Sequence, residues 1–147
     1  MYGLTDVKRE RGKHMIYKWN DSFCIGNEKI DAQHKKLFQI VARIENVIQD
    51  EYESESRKIR VTAEAIKYLK QYTVQHFADE EALQLSLDYE DYPAHRKLHE
   101  DFKQIVLCHN EKMERQQYTN ETVQEFLVIV EKWLVEHIMN ADQAIMG

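Results

Sequence analysis

Apolar residues recur every three or four positions along most of this chain, which is the spacing of helices that bury one face. The pattern predicts four helices: over about 32–50, over about 56–87, from Pro93 onward and from Thr122 onward. Pro93 suits a first helical turn, and Thr122 opens a segment with capping-box spacing. The residues expected to face inward are, helix by helix, Leu37, Ile40, Val41, Ile44, Val47 and Ile48; Ile59, Ala63, Ile66, Leu69, Thr73 and Phe77; Leu98, Phe102, Ile105 and Val106; and Phe126, Ile129, Val130, Trp133 and Leu134.

Short polar segments separate these patterns, so neighbouring helices should run antiparallel. The chain has four glycines and one proline, too few for a fold built on many tight turns. We therefore expect an all-α fold, an antiparallel up-down-up-down four-helix bundle over residues 29–147 that follows an N-terminal arm or linker over residues 1–28. Trp19, Phe23 and Ile25 make the second half of the arm apolar, so this part should pack on the bundle.

Charge and hydropathy exclude several classes of partner. The net charge is −6, which argues against nucleic-acid binding. The sequence has no apolar run long enough to span a bilayer, so no membrane contact is expected. It begins without the charged and then apolar layout of a secretion signal, which favours the cytoplasm.

Histidines and carboxylates occur at helical spacing on or beside the apolar faces. His95 and His99 are four residues apart, as are His76 and Glu80, so each pair lies on one helix face. His34 stands one turn before Leu37 on the first helix. A single such histidine is more often a surface or packing residue, but here every helix offers at least one potential ligand. Burial of so many polar groups without partners would be costly, and metal coordination removes that cost.

The candidate ligands are five imidazoles and two carboxylates: His34, His76, Glu80, His95, His99, His137 and Asp142. This set exceeds the ligands of one tetrahedral zinc and suits two metals that share the carboxylates. Imidazole with carboxylate favours iron, zinc, copper or nickel over magnesium or calcium. Asp142 lies about 140° around a regular helix from His137. The fourth helix must therefore end or distort between these two residues, and Asn140 is a suitable terminator.

Several segments match a known pattern together: Trp19, Ile25-Gly26, Ile30-Asp31-Ala-Gln-His34-Lys-Lys-Leu37, His76-Phe77-Ala-Asp-Glu80-Glu81, Tyr92-Pro93, His95-Arg-Lys-Leu-His99, Phe102, Trp133-Leu134-Val-Glu-His137-Ile138 and Asp142. In these segments the sequence resembles the hemerythrins, in particular the bacterial hemerythrin-like domains. The resemblance runs from Trp19 to Asp142, and all seven ligand positions are filled. His14 and His109 match no ligand position.

The resemblance implies reversible binding of dioxygen at a non-haem site of two irons with an oxo or hydroxo bridge, and no enzymatic activity. One iron would be held by His95, His99 and His137. The other would be held by His34 and His76 with one position open to dioxygen, and Glu80 and Asp142 would bridge the two irons. The family's oxygen pocket corresponds here to Leu37, Phe77, Trp133, Leu134 and Ile138.

One departure and several alternatives accompany this interpretation. Gln84 stands where the family usually has methionine, and an inward Gln84 would place a polar group near the site and affect how long the oxygenated form lasts. A di-iron oxidase or peroxide-handling enzyme is the main alternative, but the Glu-x-x-His repeats of ferritin-like enzymes are absent. A metal-free bundle would leave the interior polar groups unexplained.

The use of the bound oxygen is open between sensing, carriage, delivery and storage. The long stretch before Trp19 suits a linker from a preceding signalling domain, such as the C-terminal end of a bacterial chemoreceptor. Alternatively, Met15 is the native start and the residues before it are an addition.

Overall fold

The computed structural model describes residues 19–147 and consists almost entirely of helices. They are α1 (Glu28–Ile48), α2 (Glu55–Ser86), α3 (Tyr92–Arg115) and α4 (Asn120–Asn140), with 3-10 helices at Asp21–Phe23 and Asp142–Ala144. Helices α1 and α3 each pack against both α2 and α4. Gln33 contacts Asp79 near one end of the α1–α2 pair and Lys58 contacts Ile48 near the other, so the two helices are antiparallel. The predicted all-α four-helix bundle is confirmed. Residues 1–18, the first part of the predicted arm, lie outside the described residues.

Capping side chains set the helix starts, and two starts differ from the predicted ones. Helix α1 begins at Glu28, four residues before the predicted start, because the Asn27 side chain accepts a hydrogen bond from the Ile30 N–H. Helix α4 begins at Asn120 rather than at Thr122. Its cap is Thr119, whose hydroxyl accepts a hydrogen bond from the Thr122 N–H.

The core follows the predicted faces of α1 and α4 closely and those of α2 and α3 less well. On α2, Lys58 and Thr62 are buried, whereas the predicted Ile59 and Ala63 are only half-buried. The amine of Lys58 donates to the carbonyl of Ile48, which satisfies it where α1 ends. On α3, the predicted Leu98 and Ile105 are 41% and 37% exposed, and Phe102 is the buried apolar residue of that face.

The segment before α1 packs on the bundle through aromatic rings. Phe23 stacks on Phe38 with 5.2 Å between ring centroids, and Trp19 lies against both rings. The Asp31 carboxylate accepts hydrogen bonds from the backbone N–H groups of Ile25 and Gly26, so this acidic residue anchors the segment. Gly26 has a φ of +98°, a backbone conformation that favours glycine.

The predicted end of the fourth helix before Asp142 is confirmed. Helix α4 ends at Asn140, and the chain turns into the 3-10 helix Asp142–Ala144, where Ile145 is buried against the bundle. Among the helices over residues 19–147, none combines the length and the apolar character that crossing a bilayer requires.

Candidate metal centre

The seven predicted ligand residues lie together inside the bundle and are all buried. They fall into two overlapping groups, in each of which the potential ligand atoms lie within 4.8 Å of one another. One group contains His95, His99 and His137, the other contains His34 and His76, and both include Glu80 and Asp142. Each of the four helices contributes at least one of these residues, so the site depends on the whole bundle.

Glu80, on α2, is the carboxylate around which imidazoles from all four helices gather. Its Oε1 lies 3.0 Å from the Nε2 atoms of both His95 and His99. Its Oε2 lies 3.4 Å from Nε2 of His34 and 3.5 Å from Nε2 of His76. One oxygen of Glu80 thus faces each group, as a carboxylate shared by two metals requires.

Asp142 reaches the same point from the turn that follows α4. Its Oδ1 lies 2.9 Å from Nε2 of His95 and 3.0 Å from Nε2 of His137, and its Oδ2 lies 3.0 Å from Nε2 of His34. The Ala141 N–H closes the last helical turn on the His137 carbonyl, and the chain then bends. This bend brings Asp142 to the site although a continued helix would direct it away.

The unsatisfied atoms of this cluster match what metal ions would supply. Nε2 of His34, Oε2 of Glu80 and both carboxylate oxygens of Asp142 are buried and make no hydrogen bond within residues 19–147, although imidazole and carboxylate atoms approach to about 3 Å. Unpaired buried groups are costly, and shared coordination would satisfy all of these atoms at once. The residues therefore fit two metal ions bound by imidazole and carboxylate.

Without metal ions, protons on the imidazoles supply the positive charge that the buried carboxylates need. Burial opposes protonation of His34 and His95, but the carboxylates of Asp142 and Glu80 outweigh it and raise the pKa of each imidazole to about 9. Burial dominates at His76 and lowers its pKa. Burial alone would raise the carboxylate pKa values, but the surrounding imidazoles hold the pKa of Glu80 well below its usual range and bring that of Asp142 to about 2. Metal binding would displace the imidazole protons.

Two of the imidazoles are oriented from behind by acceptors on neighbouring helices. Nδ1 of His76 lies 2.8 Å from Oε1 of Gln33, whose amide nitrogen donates to Asp79 over 2.7 Å. Nδ1 of His99 lies 2.8 Å from Oε2 of Glu81. These contacts leave each Nε2 free to face the site. Sequence reasoning assigned no role to these acceptors, although both Gln33 and Glu81 adjoin a candidate ligand in the sequence.

The predicted oxygen-pocket residues are partly brought together. Leu37, Phe77, Trp133 and Leu134 line one small cavity of about 10 Å³, whereas Ile138 is fully buried and not part of its wall. A space of this size holds at most one water-sized molecule, so dioxygen would have to displace side chains to occupy it. Phe77 stacks on His99 with centroids 3.9 Å apart, and Trp133 stacks on His137 with centroids 4.2 Å apart.

The side chain of Gln84 points into the bundle, which is the orientation considered in the sequence analysis. The side chain is fully buried, and neither amide atom makes a hydrogen bond within residues 19–147. His109 belongs to neither ligand group, and His14 lies outside the described residues.

Comparison with known proteins places this arrangement in context. The sequence profile described as the hemerythrin HHE cation binding domain matches residues 25–147. A bacteriohemerythrin from Clostridium acetobutylicum is 31% identical over 128 residues, which cover 87% of this chain and 97% of that protein. A hemerythrin-like protein from Naegleria gruberi is 29% identical over 132 residues, covering 89% of this chain and 92% of that protein. A myohemerythrin from Riftia pachyptila is 29% identical over 127 residues, covering 86% and 88%.

Proposed function

Because this chain belongs to the hemerythrin family of oxygen-binding proteins, we propose that it binds dioxygen reversibly at a non-haem centre of two irons joined by an oxo or hydroxo bridge. The observation that carries the proposal is the convergence of the two ligand groups, which share Glu80 and Asp142 and contain buried atoms that need a cation.

The two groups differ in the number of imidazoles that they offer. His95, His99 and His137 would hold one iron and complete its coordination together with the shared carboxylates. His34 and His76 would hold the other and leave a position for dioxygen. The irons would supply the electrons for oxygen binding, which no side chain in this cluster can provide.

The surrounding residues prepare the site for this task. Gln33 and Glu81 fix the tautomers of His76 and His99, so that Nε2 is the nitrogen available to metal. Leu37 and Phe77, both nearly fully buried, would exclude the water and protons that release reduced oxygen as peroxide and leave the irons ferric. Trp133 stacks on His137 and covers one face of its ring.

The ligand set favours oxygen binding over an oxidase or a peroxide-handling enzyme. Oxygen-activating enzymes with helical bundles draw mainly on carboxylates and on Glu-x-x-His repeats. Here imidazoles outnumber carboxylates by five to two. We therefore assign no enzymatic activity to the chain.

We place the protein in the cytoplasm, where it would serve oxygen carriage, delivery or sensing. In the sensing role, residues 1–28 would connect the bundle to a preceding signalling domain. Dioxygen could act on such a partner only by binding one of two conformations more tightly than the other. Neither nucleic acid nor a membrane belongs to the proposed partners.

Metal analysis and absorption spectroscopy test the function directly. Protein loaded with ferrous iron without air should hold two irons per chain and show little visible absorption. Admission of air should produce charge-transfer bands in the near-ultraviolet and visible range, and removal of oxygen should abolish the oxygen-dependent part. Protein that takes up one zinc and no iron, or that never changes colour with oxygen, would refute the proposal.

A further inference from the structure

Two of the five candidate ligand histidines have an outer hydrogen bond to a side chain of a neighbouring helix within residues 19–147. His76 and His99 each direct Nε2 into the site and have an acceptor at Nδ1, namely Gln33 and Glu81. Such acceptors fix the tautomer and the ring orientation, and their loss commonly weakens metal binding. His34 also directs Nε2 into the site, toward Glu80 and Asp142, but its Nδ1 has no acceptor within residues 19–147.

Metal binding would not remove this deficiency. An iron held at Nε2 of His34 would leave the imidazole proton on Nδ1, where it must be donated to something. The ring is 0% exposed, so bulk water cannot accept it. Of the unpaired buried side-chain atoms in residues 19–147, all except three face the site, and the three exceptions are Nδ1 of His34 and the two amide atoms of Gln84.

Helix geometry allows these two side chains to approach one another. Gln84 lies one turn after Glu80 on α2, about 40° further around the helix, and its side chain is fully buried, as that of His34 is. The Gln33–Asp79 contact sets the register of α1 against α2, and the rise per residue then separates His34 from Gln84 by about 9 Å along the bundle. Each side chain leans toward the N-terminus of its own helix, and in antiparallel helices this inclination shortens the gap from both sides.

We propose that Gln84 is the outer partner of His34 and acts through one buried water molecule. The water accepts the hydrogen bond from Nδ1–H of His34 and donates one to Oε1 of Gln84. Its two hydrogen bonds together would span about 5–6 Å between these two side-chain atoms. Gln84 is then a positioning residue for the iron that His34 and His76 would hold. The inference rests on the proposed function, because it requires Nε2 of His34 to bind metal.

The competing explanation is that Gln84 only fills space. Two substitutions of Gln84 distinguish the explanations, because each explanation predicts the opposite ranking of the two variants by iron affinity. Gln84→Glu keeps an acceptor of the same shape, so His34 should stay oriented and both irons should bind. Gln84→Met keeps the volume but removes the acceptor, and the affinity for the iron of His34 and His76 should fall about 10- to 100-fold. A space-filling residue gives the reverse, because methionine fits an apolar interior and a buried glutamate carries a charge.

The measurement is an anaerobic titration of the full chain with ferrous iron against a competing chelator, with circular dichroism to verify folding. Gln104→Met, on the exposed surface of α3, is the matched control and should bind as the wild type does. Gln33→Met removes the partner of His76 and should lose affinity as Gln84→Met does. A wild-type chain that binds no iron would refute the proposed function together with this inference. Two tightly bound irons in Gln84→Met would refute the inference alone.

A crystal structure of the iron-loaded wild type tests the proposal even if the variants do not fold. It should show one water within hydrogen-bond distance of both the Gln84 amide and Nδ1 of His34. A Gln84 amide bonded only to protein groups, or a dry interval between the two residues, would overturn the proposal.

Discussion

Nδ1 of His99 donates a hydrogen bond to the Oε2 carboxylate oxygen of Glu81 over 2.8 Å. A charged acceptor makes the imidazole a stronger metal ligand than a neutral acceptor does. We expect Glu81→Gln to lower the affinity for the iron of His95, His99 and His137 by about tenfold. Iron retained per chain after dialysis against a chelator measures this loss.

The control for Glu81 is a glutamate whose charge lies at the surface. Glu100 follows His99 on α3 and forms an ion pair with Lys103. Glu100→Gln should leave iron retention unchanged. Equal iron retention in the wild type, Glu81→Gln and Glu100→Gln would show that the charge of Glu81 does not act on the site.

The two irons should respond to different histidines. His76→Ala should abolish oxygen binding directly, because it removes one of the two imidazoles proposed to hold the open iron. His95→Ala should instead lose the other iron, which His95 is proposed to hold together with His99 and His137. Iron content and oxygen uptake, measured on the same samples, separate the two effects. If His76→Ala kept two irons and normal oxygen uptake, the open position would have to lie elsewhere.

Ile138 should protect the oxygenated centre from water. It is 0% exposed and adjoins His137 in the sequence, so Ile138→Ala should destabilise the fold by about 2–5 kcal/mol and hasten autoxidation. Ile44→Ala makes an equally buried cavity ten residues beyond His34 on α1. It should cost similar stability without changing the autoxidation rate. Equal decay of the oxygenated form in Ile138→Ala and the wild type would contradict the assignment.

Removal of the metal should make stability depend on pH in a defined direction. The imidazoles of His34 and His95 have raised pKa values of about 9 in the folded chain, against about 6.5 in the unfolded chain. Their stabilisation is therefore complete below about pH 6.5 and is lost as the pH rises through 9. His76, whose pKa is lowered, acts in the opposite sense but is outnumbered.

The carboxylates limit the acid side of the same curve. The pKa values of Glu80 and Asp142 are depressed, so their stabilisation is complete above about pH 4 and is lost as the pH falls toward 2. Denaturant unfolding of the metal-free chain should give maximal stability near pH 5–6.5 and a clear decrease by pH 9.5. Greater stability at pH 9.5 than at pH 6 would show that the imidazoles are not protonated in the folded metal-free chain.

Sequence periodicity could predict the four helices but not the details that packing decides. On α2, Ile59 and Ala63 are apolar and at helical spacing, yet Lys58 and Thr62 occupy the core. The reason is tertiary, because Lys58 lies where α1 ends and donates to a free carbonyl there. A periodic pattern gives the width of an apolar face and leaves its centre uncertain by one residue.

Four of the ligand candidates, His76, Glu80, His95 and His99, could be found from the sequence because their spacing repeats the geometry of a helix face. His34 and His137 lie beside apolar faces, whereas Asp142 lies off the His137 face and fits the set only because the fourth helix ends before it. The outer acceptors could not be found in this way. Gln33 and Glu81 act across helix interfaces, and the register of neighbouring helices is fixed by packing rather than by spacing within one helix.

Asp142 lies on a turn of three residues, whereas the other six ligand candidates lie on long helices. The turn is held to the bundle by the burial of Ile145 and of Asp142 itself. Unwinding residues 141–147 would therefore withdraw a carboxylate from both ligand groups while the four helices stayed paired. Iron retention is for this reason a sensitive reporter of how the C-terminal residues dock. A fusion or an affinity tag attached after Gly147 should therefore lower iron retention before it affects the four helices.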